Sequence, residues 1–184
     1  MVARPRKIEY LPLDDIAPAA ENPKGHDDAG IDDSIDRHGY IDAGVLDGRT
    51  GRLLGGHGRL ASLRRARDAG DPAPDGLIVR GGVWLIPVQT GWASKDDEEA
   101  EAAALALNQL TVAGGFLEDP LAAMLQRLDS SRGLAGTGFR PDDLAALLER
   151  TRVPDFAPAG AEDQPALDRR KAVECPECGH SFEP

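Results

Sequence analysis

The stretch from Asp47 to Gly70 constrains this chain most, because it places a glycine cluster directly between a strand pattern and a helix pattern. A turn at Asp47-Gly48 leads through a short apolar run to Gly55-Gly56-His57-Gly58-Arg59. Glycine permits a positive φ and lets another group approach the backbone closely. The first N–H groups of the following helix have no intrahelical partner and carry the positive end of its dipole. The stretch therefore predicts an anion site, to which Arg59 adds a fixed charge.

The charge balance restricts how this chain could meet nucleic acid. The formal net charge is -11, whereas domains that devote a whole face to nucleic acid are usually basic. Residues 51–70 nevertheless carry five arginines against one aspartate. Any DNA contact is therefore expected to be local. Three of these arginines, Arg64, Arg65 and Arg67, are better explained as solvated helix charges than as a DNA track.

The length of 184 residues leaves room for one hydrophobic core with appendages. We predict an α/β (α+β) domain with a small mixed sheet over residues 1–112 and a helical extension over 113–152. Residues 153–171 have a linker composition of Pro, Ala, Asp and Gly, and residues 172–184 form a cysteine-containing tail. The sequence shows no charged-then-apolar leader and no apolar run of about 18 residues, so we expect a cytoplasmic protein without membrane contact.

Periodicity and turn residues predict the individual elements. Asp28 is the expected cap of the first helix and Gly39 its end, Ser94 and Asp97 form a capping box, and Pro87 bounds a strand. The predicted strands cover 7–11, 40–46, 52–54, 77–79 and 83–88. The predicted helices cover 29–38, the segment after Gly58 to Ala69, a stretch ending at about Val112, 117–128 and 141–150.

Several motifs in order resemble one known family. They are the Asn22-Pro23-Lys24 segment, a Gly-Tyr-Ile turn at 39–41, the box at 55–61, the Ala103–Gln109 helix that ends in an asparagine, and Thr137-Gly138-Phe139. Their order and spacing over residues 7 to about 150 are similar to the ParB/sulfiredoxin superfamily. The resemblance is greatest to phage and methyltransferase-associated members with ParB-like nuclease domains.

The resemblance implies a ParB/sulfiredoxin-like domain that holds the phosphates of a nucleotide, CTP or ATP, with Mg²⁺ as a further cofactor. His57 and Arg59 are the candidates for catalysis, although no catalytic role is assigned. Two residues also have structural interpretations, His57 as a core histidine and Asn108 as a helix C-cap. By motif position, the nucleotide-binding and phosphate-binding residues are Gly55, Gly56, His57, Gly58, Arg59, Asn108, Lys24 and His26.

Two departures from the family pattern restrict the chemistry. Sulfiredoxin requires a cysteine in the box, where this chain has His57, and partition proteins place an acidic residue where this chain has Leu107. The sequence also lacks an obvious helix-turn-helix. The expected function is that of a nucleotide-binding, DNA-associated bacterial or phage protein, either monomeric or homodimeric. Two further functions stay open at this point, a metal-dependent nuclease or small-molecule kinase, and a scaffold whose residues 117–150 bind a DNA methyltransferase.

The tail contains Cys175-Pro176-Glu177-Cys178-Gly179, which places two thiols on one tight turn. This is half of a zinc knuckle, and His180 is the nearest third ligand, whereas structural zinc takes four. The site is therefore incomplete unless His26, His38 or a second subunit contributes. A metal-free tail is the other interpretation of this segment.

Overall fold

Ten residues of uninterrupted strand, Val83–Trp92, form the centre of the sheet in the computed structural model, which describes residues 5–152 and 173–182. This strand is β5, and the other strands of its sheet are β1 Lys7–Pro12, β2 Gly44–Asp47, β3 Leu53–Gly55 and β4 Ile78–Arg80. Strand β5 pairs antiparallel with β1 and β4 and parallel with β2, and β2 pairs antiparallel with β3. The sheet is therefore mixed, as predicted, in the order β1-β5-β2-β3 with β4 also on β5.

Two helices, α1 Asp28–His38 and α2 His57–Ala69, contribute to the main hydrophobic core. Trp84, Ile86 and Val88 alternate along β5 and are buried in that core, as expected for one face of a strand. The other core residues come from the segment after β1, from both helices and from β3. They are Leu13, Ile16, Ile35, Tyr40, Leu53, Leu60 and Leu63.

Three further helices follow the sheet. Helix α3, Asp97–Ala113, has no buried residue, and the chain then forms a hairpin of α4, Glu118–Ser131, and α5, Pro141–Thr151. The hairpin has a small core of its own, made by Ala122, Leu125, Leu134, Leu144 and Leu147. Residues Met1–Thr151 form one compact unit and Arg152–Pro184 a second.

The second unit contains a two-stranded hairpin of β6, Val173–Glu174, and β7, Ser181–Phe182. The cysteine turn lies between the two strands. Cys175 N–H donates to the carbonyl of His180, and Gly179 N–H donates to the carbonyl of Cys175, each at 2.9 Å. The predicted linker, residues 153–171, lies outside the described residues.

The strand predictions needed two corrections. The predicted 40–46 strand begins later, as β2 at Gly44–Asp47, because Tyr40 is a buried core residue whose N–H donates to the carbonyl of Asp75. Pro87 does not end its strand, which continues to Trp92. Pro87 pairs with Tyr10 of β1, and β2 joins β5 only from Val88 onwards.

The helix ends needed three corrections. The cap of α1 is Asp27 and not Asp28, since the Asp27 carboxylate accepts the Gly30 N–H. Ser94 does not cap α3, because Asp96 does so by accepting the Glu99 N–H at 2.7 Å. Asn108 does not end its helix, which continues to Ala113.

Candidate functional site

The start of α2 has the geometry expected of an anion site. Gly56 has a φ of 99°, and a Cβ on it would lie 3.1 Å from the Cα of Gly44, so both conformation and space require glycine. The helix then begins at His57, and no described side chain forms a hydrogen-bonded cap at this end. Its first-turn N–H groups therefore remain available to a ligand.

Gly58 allows a neighbouring loop to pack against the box. A Cβ on Gly58 would lie 2.6 Å from His26 Cδ2 and 2.6 Å from Ile31 Cδ1. Its absence lets the loop that carries Lys24 and His26 approach the first turn of α2. A cleft of about 560 Å³ results, and it is lined by all eight predicted phosphate-binding residues: Gly55, Gly56, His57, Gly58, Arg59, Asn108, Lys24 and His26.

Arg59 supplies the fixed positive charge at the edge of this cleft. Its Nη1 lies 3.0 Å from Oδ2 of Asp42, and the side chains are 39% and 64% exposed. An ion pair that is this accessible to water contributes little to stability. A phosphate entering the cleft could therefore replace Asp42 as the partner of Arg59 at small cost. Asp42 is a cleft residue that the sequence pattern did not indicate.

His57 has a structural role in the box. Its Nε2 accepts the Ala19 N–H at 3.1 Å, and the ring also hydrogen-bonds to the backbone of Leu53. Burial lowers the pKa of His57, the nearby His26 lowers it further, and the Leu53 hydrogen bond opposes the shift. The ring is thus held neutral with its lone pair occupied, so it is not free to accept a substrate proton. This favours a core histidine over a catalytic role.

Helix α3 forms the far wall of the cleft with Leu107, Asn108 and Thr111. Asn108 Nδ2 donates to the carbonyl of Ala104 at 2.9 Å, one turn earlier in the same helix. A Cβ on Gly55 would lie 3.5 Å from Leu107 Cδ1, which places an aliphatic side chain against the box. The position at which partition proteins carry an acid therefore offers no metal ligand here.

The two carboxylates of the cleft are already engaged, Asp27 in capping α1 and Asp42 with Arg59. Over residues 5–152 and 173–182, no three His, Cys, Asp or Glu side chains stand together as a metal site would require. Mg²⁺ bound beside a nucleotide usually takes one or two carboxylates. A Mg²⁺ ion in this cleft would have to share the carboxylates that already hold the Gly30 N–H and Arg59.

The basic segment does not form a free cationic surface. Arg52 and Arg64 donate to backbone carbonyls, Arg65 pairs with Asp28 and Asp32, and Arg67 pairs with Asp14 and Asp68. With Arg59 on Asp42, all five arginines of residues 51–70 have partners within the chain. Those on α2, Arg59, Arg64, Arg65 and Arg67, connect this helix to neighbouring segments of the chain.

The turn between β2 and β3 contains a second polar cluster. Asp47 is fully buried and accepts hydrogen bonds from the backbone and hydroxyl of both Ser94 and Thr50 and from the Arg49 N–H. Burial alone would raise the pKa of Asp47, but these hydrogen bonds outweigh it and lower the pKa to about 2. Asp47 therefore stays ionised and joins the turn to the segment before α3.

The cysteine turn lowers the pKa of the Cys175 thiol, through hydrogen bonding from the backbone of Glu177 and Cys178 and from the Cys178 side chain. His180 does not join the cysteines in a group of three metal-binding side chains. The predicted ligand set of Cys175, Cys178 and His180 is therefore not assembled within this hairpin.

Comparison with solved structures places the fold. The chain is similar to the C-terminally truncated chromosome-partitioning protein ParB from Caulobacter crescentus complexed with CTP-gamma-S, with a TM-score of 0.52 and 16% identity over 81% of each chain. The fold is ParB-like. A Pnob8-like ParB-N domain is similar over 82% of this chain and 63% of its own, with 13% identity and a TM-score of 0.39.

Sequence comparisons give no match. No protein-family model matches the chain, and no curated protein matches it.

Among the described helices, none is long and apolar enough to cross a membrane.

Proposed function

We propose that this chain binds a nucleoside triphosphate and holds its phosphates in the cleft at the start of α2. The observation that carries the proposal is the convergence of an uncapped helix N-terminus, Lys24, His26 and Arg59 on one cleft. A ParB-like fold supports it, because the similar Caulobacter protein was solved with CTP-gamma-S. CTP is accordingly the first nucleotide to test, and ATP the second.

The binding mode follows from the contacts of the free protein. The N–H groups of the first turn of α2 would donate to phosphate oxygens, and the helix dipole favours their negative charge. Arg59 would exchange Asp42 for a phosphate, which it can bind through two parallel hydrogen bonds. Lys24 also lines the cleft and adds a second cation. Because these groups are positioned in advance, little reorganisation opposes binding.

We infer binding in preference to turnover. Both carboxylates of the cleft already have partners, Leu107 places an aliphatic side chain against the box, and Nε2 of His57 is occupied by the Ala19 N–H. The geometry therefore favours neither the metal-dependent nuclease nor the small-molecule kinase. DNA association remains a prediction of the resemblance, and the internally paired arginines give it no support.

A second candidate function, that of an interaction scaffold, is favoured by one observation. The end of α3 and the segment after it expose Leu110, Val112, Phe116 and Leu117, each 65% or more accessible. Large apolar side chains exposed together on a protein surface commonly mark a site of protein contact. A DNA methyltransferase is the expected partner. A Leu110→Glu/Val112→Glu variant should lose capture of that enzyme and keep nucleotide binding, and undiminished capture would reject this surface.

Calorimetric titration with CTP, ATP, GTP and UTP, with and without Mg²⁺, tests the main proposal. We expect saturable binding of at least one nucleotide, with Arg59→Ala weakening it about 10-fold to 100-fold, as expected for loss of a charged hydrogen bond. Arg80→Ala is the matched control, because Arg80 is exposed on β4 and does not line the cleft. Equal affinities for both variants, or no nucleotide binding, would overturn the assignment.

A further inference from the structure

The knuckle, Cys175–His180, is arranged as half of a tetrathiolate metal site. Cys175 and Cys178 stand three residues apart on the tight turn between β6 and β7, and the Cys175 N–H donates to the His180 carbonyl at 2.9 Å. Two cysteines on such a turn are typical of one half of a structural zinc site. The Gly179 φ of 69° and the Gly179 hydrogen bond to the Cys175 carbonyl hold the turn in this shape.

Among the described residues, the two thiols have no third ligand beside them. A tetrahedral structural zinc site needs four, drawn from thiolates and imidazoles. The sequence contains only two cysteines and four histidines, and His57 already uses its Nε2 to accept the Ala19 N–H. In the segments 5–152 and 173–182, no three potential ligands stand together. The two thiols therefore need a second source of ligands.

The exposure of the knuckle lets another molecule reach it. Cys178 and the residues from Pro176 to Ser181 are exposed, and Cys175 is partly exposed. A second identical knuckle offers what is lacking, namely two more thiols preset at the same spacing. Four sulfur ligands in a tetrahedron select zinc among common cellular divalent ions.

We propose that two copies of this chain share one zinc ion through Cys175 and Cys178 of each copy. The ion joins the two hairpins without using the cleft of the first unit, so this linkage is independent of nucleotide binding. His180 is not a ligand, and its backbone carbonyl serves only to close the hairpin on Cys175. The site is incomplete in a single copy.

The test uses the full chain, purified under reducing conditions and loaded with zinc. Metal content is measured by atomic emission and molar mass by light scattering, before and after chelation. We expect one zinc for every two chains and a dimer that dissociates when the zinc is removed. Cys178→Ser should lose both the zinc and the zinc-dependent dimer, whereas His180→Ala, the matched control, should keep both.

Cobalt supplies a second readout that does not depend on molar mass. Titration with Co²⁺ should produce the visible absorption of a tetrahedral tetrathiolate and saturate at one cobalt for every two chains. One metal ion per chain, no bound metal in the reduced protein, or loss of metal in His180→Ala would overturn the proposal. If another surface also keeps the chains dimeric after chelation, the metal stoichiometry alone decides.

Discussion

The two ends of the β2–β3 hairpin differ in how far their polar groups are satisfied. At the turn, the buried Asp47 accepts five hydrogen bonds and joins the hairpin to Ser94. At the other end, β3 leads into a helix without a side-chain cap, and the partner of Arg59 among the described residues is the exposed Asp42. The polar groups around Asp47 bond to one another, whereas the box retains N–H donors and a positive charge. We infer that the turn stabilises the fold and that the box binds.

The largest expected effect is on the turn. Asp47→Asn places an amide group among N–H donors, so about 2 to 4 kcal/mol of unfolding free energy should be lost, as measured by urea denaturation. Nucleotide affinity of the folded fraction should be unchanged. Asp129→Asn, an exposed substitution on α4, is the control and should be neutral. Weaker nucleotide binding in the folded Asp47 variant would contradict the division of roles.

The same carboxylate predicts a pH dependence. Because the folded pKa of Asp47 is about 2 and its ordinary value is 3.8, its contribution is complete above pH 3.8 and is lost as the pH falls through 2. The shift corresponds to about 2 kcal/mol. The free energy of unfolding should be measured by urea denaturation at a series of acidic pH values. The wild type should lose this contribution of Asp47 as the pH falls, whereas Asp47→Asn should not.

The next effect concerns the packing of the box. Gly58→Ala would force a Cβ to within 2.6 Å of His26 and Ile31, so about 1 to 3 kcal/mol of stability and several-fold nucleotide affinity should be lost together. Gly25→Ala is the matched control, because Gly25 lines the same cleft and a Cβ there would meet no atom within 4 Å. Equal behaviour of the two variants would show that loop approach at Gly58 is unimportant.

His57 predicts a smaller change with pH. Its folded pKa lies below the ordinary 6.5, so its contribution to stability is complete above pH 6.5 and falls as the pH is lowered further. Denaturation at pH 7.5 and pH 5.5 should show this loss in the wild type. The loss should shrink in His57→Asn and persist in His180→Gln, which alters an exposed histidine. An unchanged pH dependence in His57→Asn would mean that this ring titrates freely.

The smallest expected effect is at the edge of the cleft. Asp42→Asn removes the carboxylate that competes with phosphate for Arg59, so nucleotide affinity should rise about two-fold to five-fold, in keeping with a weak exposed ion pair. Calorimetric titration measures the gain. A loss of affinity would show that Asp42 contributes to binding, for example through a bound cation.

Local patterns were sufficient for part of this structure. The glycine box, the Asp-Gly turn and the stop at Gly39 depend on residues adjacent in sequence, and each was predictable. Long-range contacts were not predictable. The partner of Asp47 lies 47 residues away at Ser94, which was consequently mistaken for a helix cap. Pro87 does not end its strand, because whether a strand accommodates proline depends on how the neighbouring strands pair with it, and those strands are distant in sequence.

The cleft shows the same limit. The resemblance indicated eight residues that line one cleft, but no local pattern indicated that Asp42 would pair with Arg59 or that Ala19 would occupy the lone pair of His57. Both contacts join segments that are distant in sequence. They favour binding over catalysis at the box, which is the function expected from the sequence.

The most direct test of nucleotide binding at the box is a backbone amide NMR titration of the chain with CTP, and with ATP if CTP is silent. We predict saturable shifts of the N–H signals of Gly56, Gly58 and Arg59, whereas those of Arg49, Thr50 and Ser94 remain in place. Unmoved box signals at saturating nucleotide, or shifts confined to the Asp47 turn, would contradict the division between a binding box and a stabilising turn.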